Sequence, residues 1–268
     1  MIFIENIYKD ELDAIWYSFS TLHGYEECPY SFYLKKIEKE IGITNCYAEA
    51  GGYGHELFQK IFNKIITPAE ALEECISNFE YRVDMSEAPM DKKFDALCQY
   101  IADLDIEDFF NKYEVLGVEK KFLWQIDNIN LIGFADLILK RKSDNKIILV
   151  DHKSSGHFMK TDGITPLKNQ LDNLNAYKKQ MYMYADAMKK IMGFYPDLIV
   201  WNHFLDGGKK TVINFNKDDL FATIDWVRET VKKINKDENF ECNKSFMMCN
   251  VLCNYRAVCE YNLDDDYE

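Results

Sequence analysis

The sequence predicts one α/β domain with a helical N-terminal part, an α/β core and a cysteine-rich C-terminal tail. Apolar residues follow the 3.6-residue period of helices through residues 18–113, which predicts a mainly helical part. Residues 114–235 contain short segments rich in Val, Ile, Leu and Phe, which predict the strands of the α/β core. The 268 residues are 47% hydrophobic, which is enough for a substantial core. Residues 236–268 form the tail, and no linker composition divides residues 1–268 into separate domains.

Four helices are expected before residue 114. Ser18 is suited to cap the first, which continues through Lys39 with Pro29 as a site for a kink. The segment TPAE at residues 67–70 has the composition of a capping box with proline at the first helical position. The expected helices cover residues 18–39, 53–66, 68–83 and 91–113.

Strands dominate the next part of the chain. Residues 115–125, 129–140 and 146–152 are separated by turn residues and are expected to form an antiparallel three-stranded meander. A further strand at 197–205 and its partner at 211–215 are joined by the turn residues Asp206, Gly207 and Gly208. Helices are expected at residues 169–192 and 218–235.

Composition and charge restrict the cellular setting. No apolar run approaches the roughly 20 residues that cross a bilayer, and the N-terminus lacks the pattern of a secretory signal. The eight cysteines are therefore expected to be reduced thiols or metal ligands in a cytosolic protein without a membrane partner. The net charge of −13 opposes nucleic-acid binding, but a local basic rim is compatible with it. The residues of that rim are Lys120, Lys121, Lys140, Arg141, Lys142, Lys178 and Lys179.

A hairpin in the core brings two acidic residues together. If residues 142–145 form a four-residue loop, Arg141 faces Lys146, and the same register places Asp136 opposite Asp151. Directly opposed side chains have Cβ atoms about 4.5–5.5 Å apart, where like charges destabilise the pair unless a proton or cation lies between them. Because the surrounding strands are strongly apolar, this pair indicates a functional site.

Lys153 completes the set of charged residues. Side chains alternate along a strand, so Lys153 shares a face with Asp151 while His152 points to the other face. Two carboxylates suit a divalent ion that lowers the pKa of bound water, and an ammonium suits charge growing on a phosphate. This chemistry fits phosphodiester hydrolysis. The alternative for these three residues alone is a surface salt bridge at the end of a strand.

Several motifs resemble those of one nuclease superfamily. GFAD at residues 133–136 followed by DHK at 151–153 resembles the core motif of the PD-(D/E)xK nucleases. GGYGH at 51–55 resembles the GxxxH motif of the RecB-like branch, and QMYMY at 180–184 resembles its QxxxY motif. Residues 18–29 resemble the opening of the AddB and CRISPR-associated RecB-like exonucleases. The resemblance covers about residues 18–259, with the motifs in the family's order.

This resemblance implies a restriction-endonuclease-like fold, in which a mixed central sheet is flanked by helices, and an active site that uses Mg²⁺ or Mn²⁺. The implied metal ligands are His55, Asp136, Asp151 and the main-chain carbonyl of His152, and Lys153 assists the attack of water on the phosphate. Gln180 and Tyr184, which share a helix face, are expected to contact a substrate phosphate or to hold Lys153 in place.

The residues themselves leave alternatives at three positions. His55 considered alone also fits a helical histidine without a functional role. Tyr184 fits a core position as well as a position in the site. Glu119 on the first strand is either an additional carboxylate near the metal or a solvated glutamate.

The cysteines of the tail indicate a second metal centre. In the similar iron–sulfur nucleases, one N-terminal and three C-terminal cysteines bind a 4Fe-4S cluster, which implies Cys28, Cys249, Cys253 and Cys259 here and a tail packed with the Cys28 region. This chain has CxxxC where the family usually has CxxC. A zinc site formed by Cys242, Cys249, Cys253 and Cys259 is the alternative. The other cysteines are expected to be structural: Cys46, Cys75 and Cys98.

We therefore expect a metal-dependent deoxyribonuclease, a phosphodiester hydrolase. The resemblance implies that it cuts single-stranded DNA or DNA ends exonucleolytically. Recombination, DNA repair, CRISPR adaptation and phage biology all suit such a site. Protein partners are expected in recombination or CRISPR adaptation. One alternative is a non-catalytic iron–sulfur or zinc subunit that binds DNA as an adaptor, which a damaged Asp-Asp-Lys set would mark. The set is intact. Another alternative is a metal hydrolase that acts on a different class of substrate.

Overall fold

A mixed five-stranded sheet forms the α/β part of the chain. A computed structural model describes residues 6–86, 89–160, 162–163, 165–245 and 248–261, apart from the side chains of residues 248 and 251. The strands are β1 Tyr113–Ile126, β2 Ile129–Arg141, β3 Ile147–Lys153, β4 Leu198–His203 and β5 Lys209–Asn214. They are ordered β1-β2-β3-β4-β5, with β2 antiparallel to β3, β3 parallel to β4 and β4 antiparallel to β5. The prediction of a mixed central sheet flanked by helices is confirmed.

Helices precede the sheet and connect its strands. Those before it are α1 Lys9–Asp13, α2 Phe19–Glu27, α3 Pro29–Lys36, α4 Cys46–Phe62, α5 Pro68–Arg82, α6 Met90–Ala102 and α7 Ile106–Lys112. Those after it begins are α8 Leu171–Met192 and α9 Lys217–Ile234, with a short 3₁₀ helix at Lys168–Gln170 and a π-helical turn at Met248–Leu252. Across the described residues, no helix combines the length and apolarity that spanning a bilayer requires.

The chain divides into two compact units. The first lies within Met1–Asn45, Leu123–Gly133 and Phe221–Glu268, and the second within Cys46–Phe122 and Phe134–Leu220. In unit 1, the rings of Phe32 and Phe240 stack with centroids 5.9 Å apart. In unit 2, apolar residues of α4, α5 and α6 pack with residues of β2, β3 and β4 in one buried cluster. Each unit therefore has apolar residues of its own to bury.

Two of the predicted helices are interrupted, which corrects the prediction. The first ends at Glu27 because Cys28 is extended, with φ −156° and ψ 103°, before Pro29 begins α3. Proline disfavours helical geometry in the residue before it and lacks an N–H, so here it starts a helix instead of kinking one. The second is divided between α6 and α7, where the Asp105 side chain accepts a hydrogen bond from the Asp108 N–H and caps α7.

Helix α4 begins seven residues earlier than residue 53, where the pattern placed its start, and it passes through three glycines. A Cβ at Gly54 would lie 2.7 Å from the Phe204 ring, and one at Gly51 would lie 2.9 Å from Ser154 Oγ. Gly52 has no such neighbour within 4 Å. Close packing of α4 therefore explains two glycines that would otherwise weaken a helix.

The β2–β3 hairpin has the register that its turn predicts. The Arg141 N–H donates to the Lys146 carbonyl at 2.8 Å across the loop. The paired residues run from Lys140 with Ile147 to Leu137 with Val150. One further step in this register would place Asp136 opposite Asp151, although the recorded pairs end at Leu137 and Val150. A local turn thus fixes which residues of the two strands are neighbours.

Alanine substitutions at two glycines of α4 are expected to change stability in opposite directions. Gly52→Ala should raise the free energy of unfolding by up to about 1 kcal/mol, because alanine favours the helix and the position is open. Gly54→Ala should lower it by about 1–2 kcal/mol, because its Cβ meets the buried ring of Phe204 and overpacking outweighs helix propensity. Denaturant unfolding with equal m-values measures both. Stabilisation by both substitutions would contradict the close approach.

Candidate active site

Three side chains from three elements meet at one point of unit 2. His55 comes from α4, Glu119 from β1 and Asp136 from β2. The Nδ1 atom of His55 lies 3.4 Å from Oδ2 of Asp136 and 3.7 Å from Oε1 of Glu119. In the part of the chain that the structure describes, only here do three or more His, Cys, Asp or Glu residues place their ligand atoms within 4.8 Å of one another. The arrangement can hold a metal ion.

Glu119 reaches this point through an unusual backbone conformation. Its φ of 45° lies in the left-handed region, which costs a residue with a side chain roughly 1–2 kcal/mol. Buried and exposed residues alternate regularly from Phe122 to Ile126, but the alternation does not continue through Glu119. Glu119 lies outside the ligand set that the sequence resemblance implies, and simple strand alternation does not indicate a residue whose backbone turns locally. Such strain persists where the surrounding structure fixes it.

Asp136 lies beside Asp151 and is mostly buried. Its Oδ2 atom accepts a 2.6 Å hydrogen bond from the His152 N–H. Burial and the negative charge of Asp151 raise the pKa of Asp136 to about 7, although His55 and the His152 N–H oppose this shift. A carboxyl group that resists ionisation beside a second acid indicates a site in which a nearby positive charge would stabilise the two carboxylates.

His55 supplies that positive charge when it is protonated. Burial lowers the pKa of His55, but the neighbouring carboxylates of Glu119, Asp136 and Asp151 outweigh burial and raise it to about 9. A divalent ion bound to the same atoms would replace the proton, because metal ligands bind in their deprotonated forms. Two carboxylates and an imidazole suit Mg²⁺ or Mn²⁺, so the residues present fit the expected metal.

Lys153 lies at the end of β3 with its ammonium contacted on three sides. Nζ is 2.9 Å from Asp151 Oδ2, donates to Gln180 Oε1 at 2.9 Å and lies 3.8 Å from the centre of the Tyr177 ring. Burial lowers the pKa of Lys153, but the charge and hydrogen bond of Asp151 and the contribution of Tyr177 outweigh burial and raise it. The lysine is therefore an ammonium, and the Tyr177 ring adds a cation–π contact. The sequence patterns assign no functional role to Tyr177.

Gln180 and Tyr184 continue this set of contacts along α8. Gln180 Nε2 donates to the Tyr184 hydroxyl at 3.1 Å, while its Oε1 accepts from Lys153. The Tyr184 hydroxyl also bonds to the main chain of Phe134, and burial raises the pKa of Tyr184. The two side chains thus link β2 to the ammonium of Lys153. This geometry is compatible with the expected role of holding Lys153, which stays a prediction.

The His152 side chain lies on the other face of β3 from Lys153. Its ring stacks on Phe62 with centroids 5.8 Å apart, and its Nδ1 atom is 2.9 Å from Asn202 Nδ2. Burial lowers the pKa of His152 to about 3, so the ring is neutral and does not balance the acidic residues. The resemblance assigns a role only to the main-chain carbonyl of His152, and that role stays a prediction.

Five cysteines line a cavity of about 180 Å³ in unit 1: Cys28, Cys242, Cys249, Cys253 and Cys259. The Sγ atoms of Cys28 and Cys242 are 3.9 Å apart, and the Tyr255 N–H donates to Cys253 Sγ. Burial and neighbouring thiolates raise the pKa of Cys242 to about 12. Among the described residues no three of these Sγ atoms lie within 4.8 Å of one another, but Cys242 shares the cavity with the four cysteines that the resemblance implies.

The remaining cysteines lie in unit 2. The Sγ atoms of Cys75 on α5 and Cys98 on α6 are 3.8 Å apart, a proximity that their spacing in the sequence does not reveal. Burial and the neighbouring Cys98 raise the pKa of Cys75. Cys46, at the start of α4, is buried.

Replacing Glu119 with glycine is expected to separate stability from metal binding. Glycine suits the left-handed φ and removes one of the crowded carboxylates, so the free energy of unfolding in EDTA should rise by about 1 kcal/mol. Loss of a donor should weaken Mn²⁺ binding about 10- to 100-fold. Chemical unfolding and titration calorimetry measure these effects. Glu114→Gly, at an exposed position of β1, is the control that should leave Mn²⁺ affinity unchanged. Wild-type affinity in the Glu119 variant would exclude Glu119 as a ligand.

A known structure shares this fold. The chain is similar to the crystal structure of a protein from Eubacterium rectale named "Putative exonuclease", with a TM-score of 0.56 and 15% identity over 96% of this chain and 92% of that one. It also aligns with the crystal structure of SSO0001, with a TM-score of 0.39 and 15% identity over 95% of each chain. No curated protein matches the sequence.

The family comparison spans nearly the whole chain. Residues 17–260 match the family described as the PD-(D/E)XK nuclease superfamily. This range includes every residue of the His55, Glu119 and Asp136 group, and also Lys153 with its contacts. The match is independent of the geometry and agrees with it. The chain belongs to the PD-(D/E)XK nuclease superfamily.

Proposed function

We propose that this nuclease uses Mg²⁺ or Mn²⁺ to hydrolyse phosphodiester bonds of DNA, with single-stranded DNA or DNA ends as its substrates. One observation carries the proposal: the group of His55, Glu119 and Asp136, which can hold a metal ion, lies in the same unit as an ammonium held against Asp151. Nucleases of this superfamily use divalent ions. A surface salt bridge would not require buried acids with a histidine and a lysine around them.

Residues of this chain would divide the chemistry between them. When bound, a divalent ion lowers the pKa of water and neutralises charge on the phosphate. His55, Glu119 and Asp136 would hold the ion, with Asp151 as the further carboxylate that sequence analysis implies. Asp151 also pairs with Lys153, which connects the ammonium to the acidic group. Lys153 acts through its positive charge on the phosphate, because its contacts keep it protonated.

The finer classification is also a proposal. His55 on α4 and the Gln180 and Tyr184 pair on α8 support the RecB-like branch, in which exonucleolytic cutting of DNA is expected. The name of the Eubacterium rectale protein agrees with that activity. The family match runs through both compact units, which supports one nuclease domain over residues 1–268. We also propose a cytosolic location, in which the eight cysteines, none of them disulfide-bonded in the described residues, stay reduced.

The cysteine cavity would hold a 4Fe-4S cluster. We assign Cys28, Cys249, Cys253 and Cys259 as its ligands, and such a cluster would tie the tail to the Cys28 region. In the zinc alternative, Cys242 replaces Cys28. The hydrogen bond from the Tyr255 N–H to Cys253 Sγ is of the kind that tunes the reduction potential of an iron–sulfur cluster. Protein partners in recombination or CRISPR adaptation belong to the same proposal.

Loss of either charged group is expected to abolish cutting. Asp136→Asn and Lys153→Met keep the size of the side chain but remove its charge, and DNA cleavage should fall at least about 100-fold. Release of label from single-stranded DNA, duplex DNA and RNA, in Mg²⁺, Mn²⁺ or EDTA, measures activity and substrate class. Lys146→Met, at an exposed lysine beside the hairpin loop, is the control that should retain activity. Full activity of Asp136→Asn would overturn the proposal, and DNA binding by wild type without cutting would favour an adaptor.

Substitution of single cysteines is expected to distinguish the two metal centres. If the cluster has the assigned ligands, protein purified without oxygen is brown, Cys28→Ser loses visible absorbance and iron, and Cys242→Ser keeps both. A colourless protein that contains zinc, and that loses zinc in Cys242→Ser but not in Cys28→Ser, would establish the alternative. Cys75→Ser in unit 2 is the control and should not change metal content in either case.

A further inference from the structure

An exposed aromatic ring lies on the strand that carries Asp136. Phe134 is 46% exposed, although the residues on either side of it in β2 are buried. Gly133 and Ala135 face the interior, so strand alternation turns the Phe134 ring to the opposite face. A single exposed apolar residue is common on protein surfaces and indicates nothing by itself. Its position relative to the site is the second observation.

Phe134 and Asp136 share one face of β2. Two residues of a strand span roughly 6.5–7 Å, so the ring is the neighbour of the Asp136 carboxylate along this face. The side chain of Asp136 is only 10% exposed, whereas Phe134 projects into solvent. The surface next to the expected metal position is therefore a flat aromatic ring. A phosphate bound to a metal ion that Asp136 helps to hold would bring the base of an adjoining nucleotide within reach of that ring.

Hydrogen bonds connect the main chain of Phe134 with the side chain of Lys153. The Tyr184 hydroxyl bonds to the Phe134 main chain, Gln180 donates to that hydroxyl, and Lys153 donates to Gln180. This series of hydrogen bonds fixes the backbone that presents the ring relative to the ammonium. A ring that only filled space on a surface would need no such placement. The ring and the charged groups thus have a defined separation.

We propose that Phe134 stacks on the nucleobase that adjoins the scissile phosphate and so makes the site selective for single-stranded or frayed DNA. The inference rests on the proposed nuclease function and adds the substrate determinant. A base in a duplex is already stacked and paired, whereas a base in a single strand offers its face to an aromatic side chain. Stacking of this kind tolerates all four bases, so the selection is for strandedness and not for sequence.

The surroundings favour a nucleobase over a protein surface as the occupant. Along its strand the ring adjoins Asp136, which lies with Glu119 and His55 in a group of charged and polar side chains. Lys120 and Lys121, exposed on β1 directly after Glu119, add positive charge that a polyanion would meet. An aromatic platform with cations nearby is the combination used to bind single strands.

Kinetics on short single-stranded oligonucleotides test the proposal. Phe134→Ala and Phe134→Leu are expected to raise KM about 5- to 100-fold with little change in kcat, because both remove the aromatic face. Phe134→Tyr should restore wild-type KM. An abasic residue on one side of the scissile phosphate should raise KM of the wild type to that of Phe134→Ala and should not impair the variant further. Phe221→Ala, at an exposed phenylalanine of α9, is the control and should behave as wild type.

The outcomes separate this inference from the function on which it rests. If the wild type cuts DNA but Phe134→Ala, Phe134→Leu and abasic substrates all give wild-type KM, the stacking role is excluded and the nuclease function stands. If the wild type cuts no DNA with either metal, the proposed function fails first. The abasic substrates test wild-type protein, so the result does not depend on the folding of a variant. Equal cutting of single-stranded and blunt duplex DNA by wild type would also overturn the proposal.

Discussion

The concentration of acidic side chains where β1, β2 and β3 lie together is the constraint on which the site depends. Asp136 and Asp151 adjoin the last recorded pair of the β2–β3 hairpin, and Glu119 faces the same histidine as Asp136. In a partly buried region these charges repel one another strongly. The His152 N–H, the His55 ring and the Lys153 ammonium each offset part of that repulsion. A site arranged in this way is stable only when a proton or a cation occupies it.

The packing of α4 and α8 positions the groups that offset this repulsion. His55 reaches the acids because α4 lies close to Ser154 at Gly51 and close to Phe204 at Gly54. These two glycines are about one helical turn apart. Lys153 keeps its position because α8 covers it with Tyr177 and Gln180. Neither helix contributes an acid to the group. Their apolar residues bury area in unit 2, and their polar residues are fixed in place by that burial.

The cysteine cavity in unit 1 is lined by segments that are distant in the sequence. Its residues come from the α2–α3 junction and from the tail, far apart in the chain but within one unit. Bringing distant segments together costs chain entropy, and the proposed metal centre would offset that cost. The extended backbone of Cys28, which the following proline enforces, places this cysteine between two helices. The correction to the predicted helix thus has a structural role.

The sequence by itself determined the class of fold and the register of the β2–β3 hairpin. The turn at residues 142–145 is local chemistry, and a turn of known length sets register without any knowledge of the rest of the chain. The alternation that separates Lys153 from the His152 side chain, and the Thr67 capping box, are local in the same sense. Motif order was sufficient to indicate the family that the whole-chain match identifies.

Only the tertiary structure decided which groups complete the site. The left-handed backbone of Glu119, the Tyr177 ring against Lys153 and the place of Cys242 beside Cys28 each depend on an element distant in sequence. No pattern of spacing encodes them, because each is a low-probability local arrangement that the packing of other elements stabilises. Local chemistry therefore fixed strands, turns and register, and packing between elements fixed the charge balance around the acids.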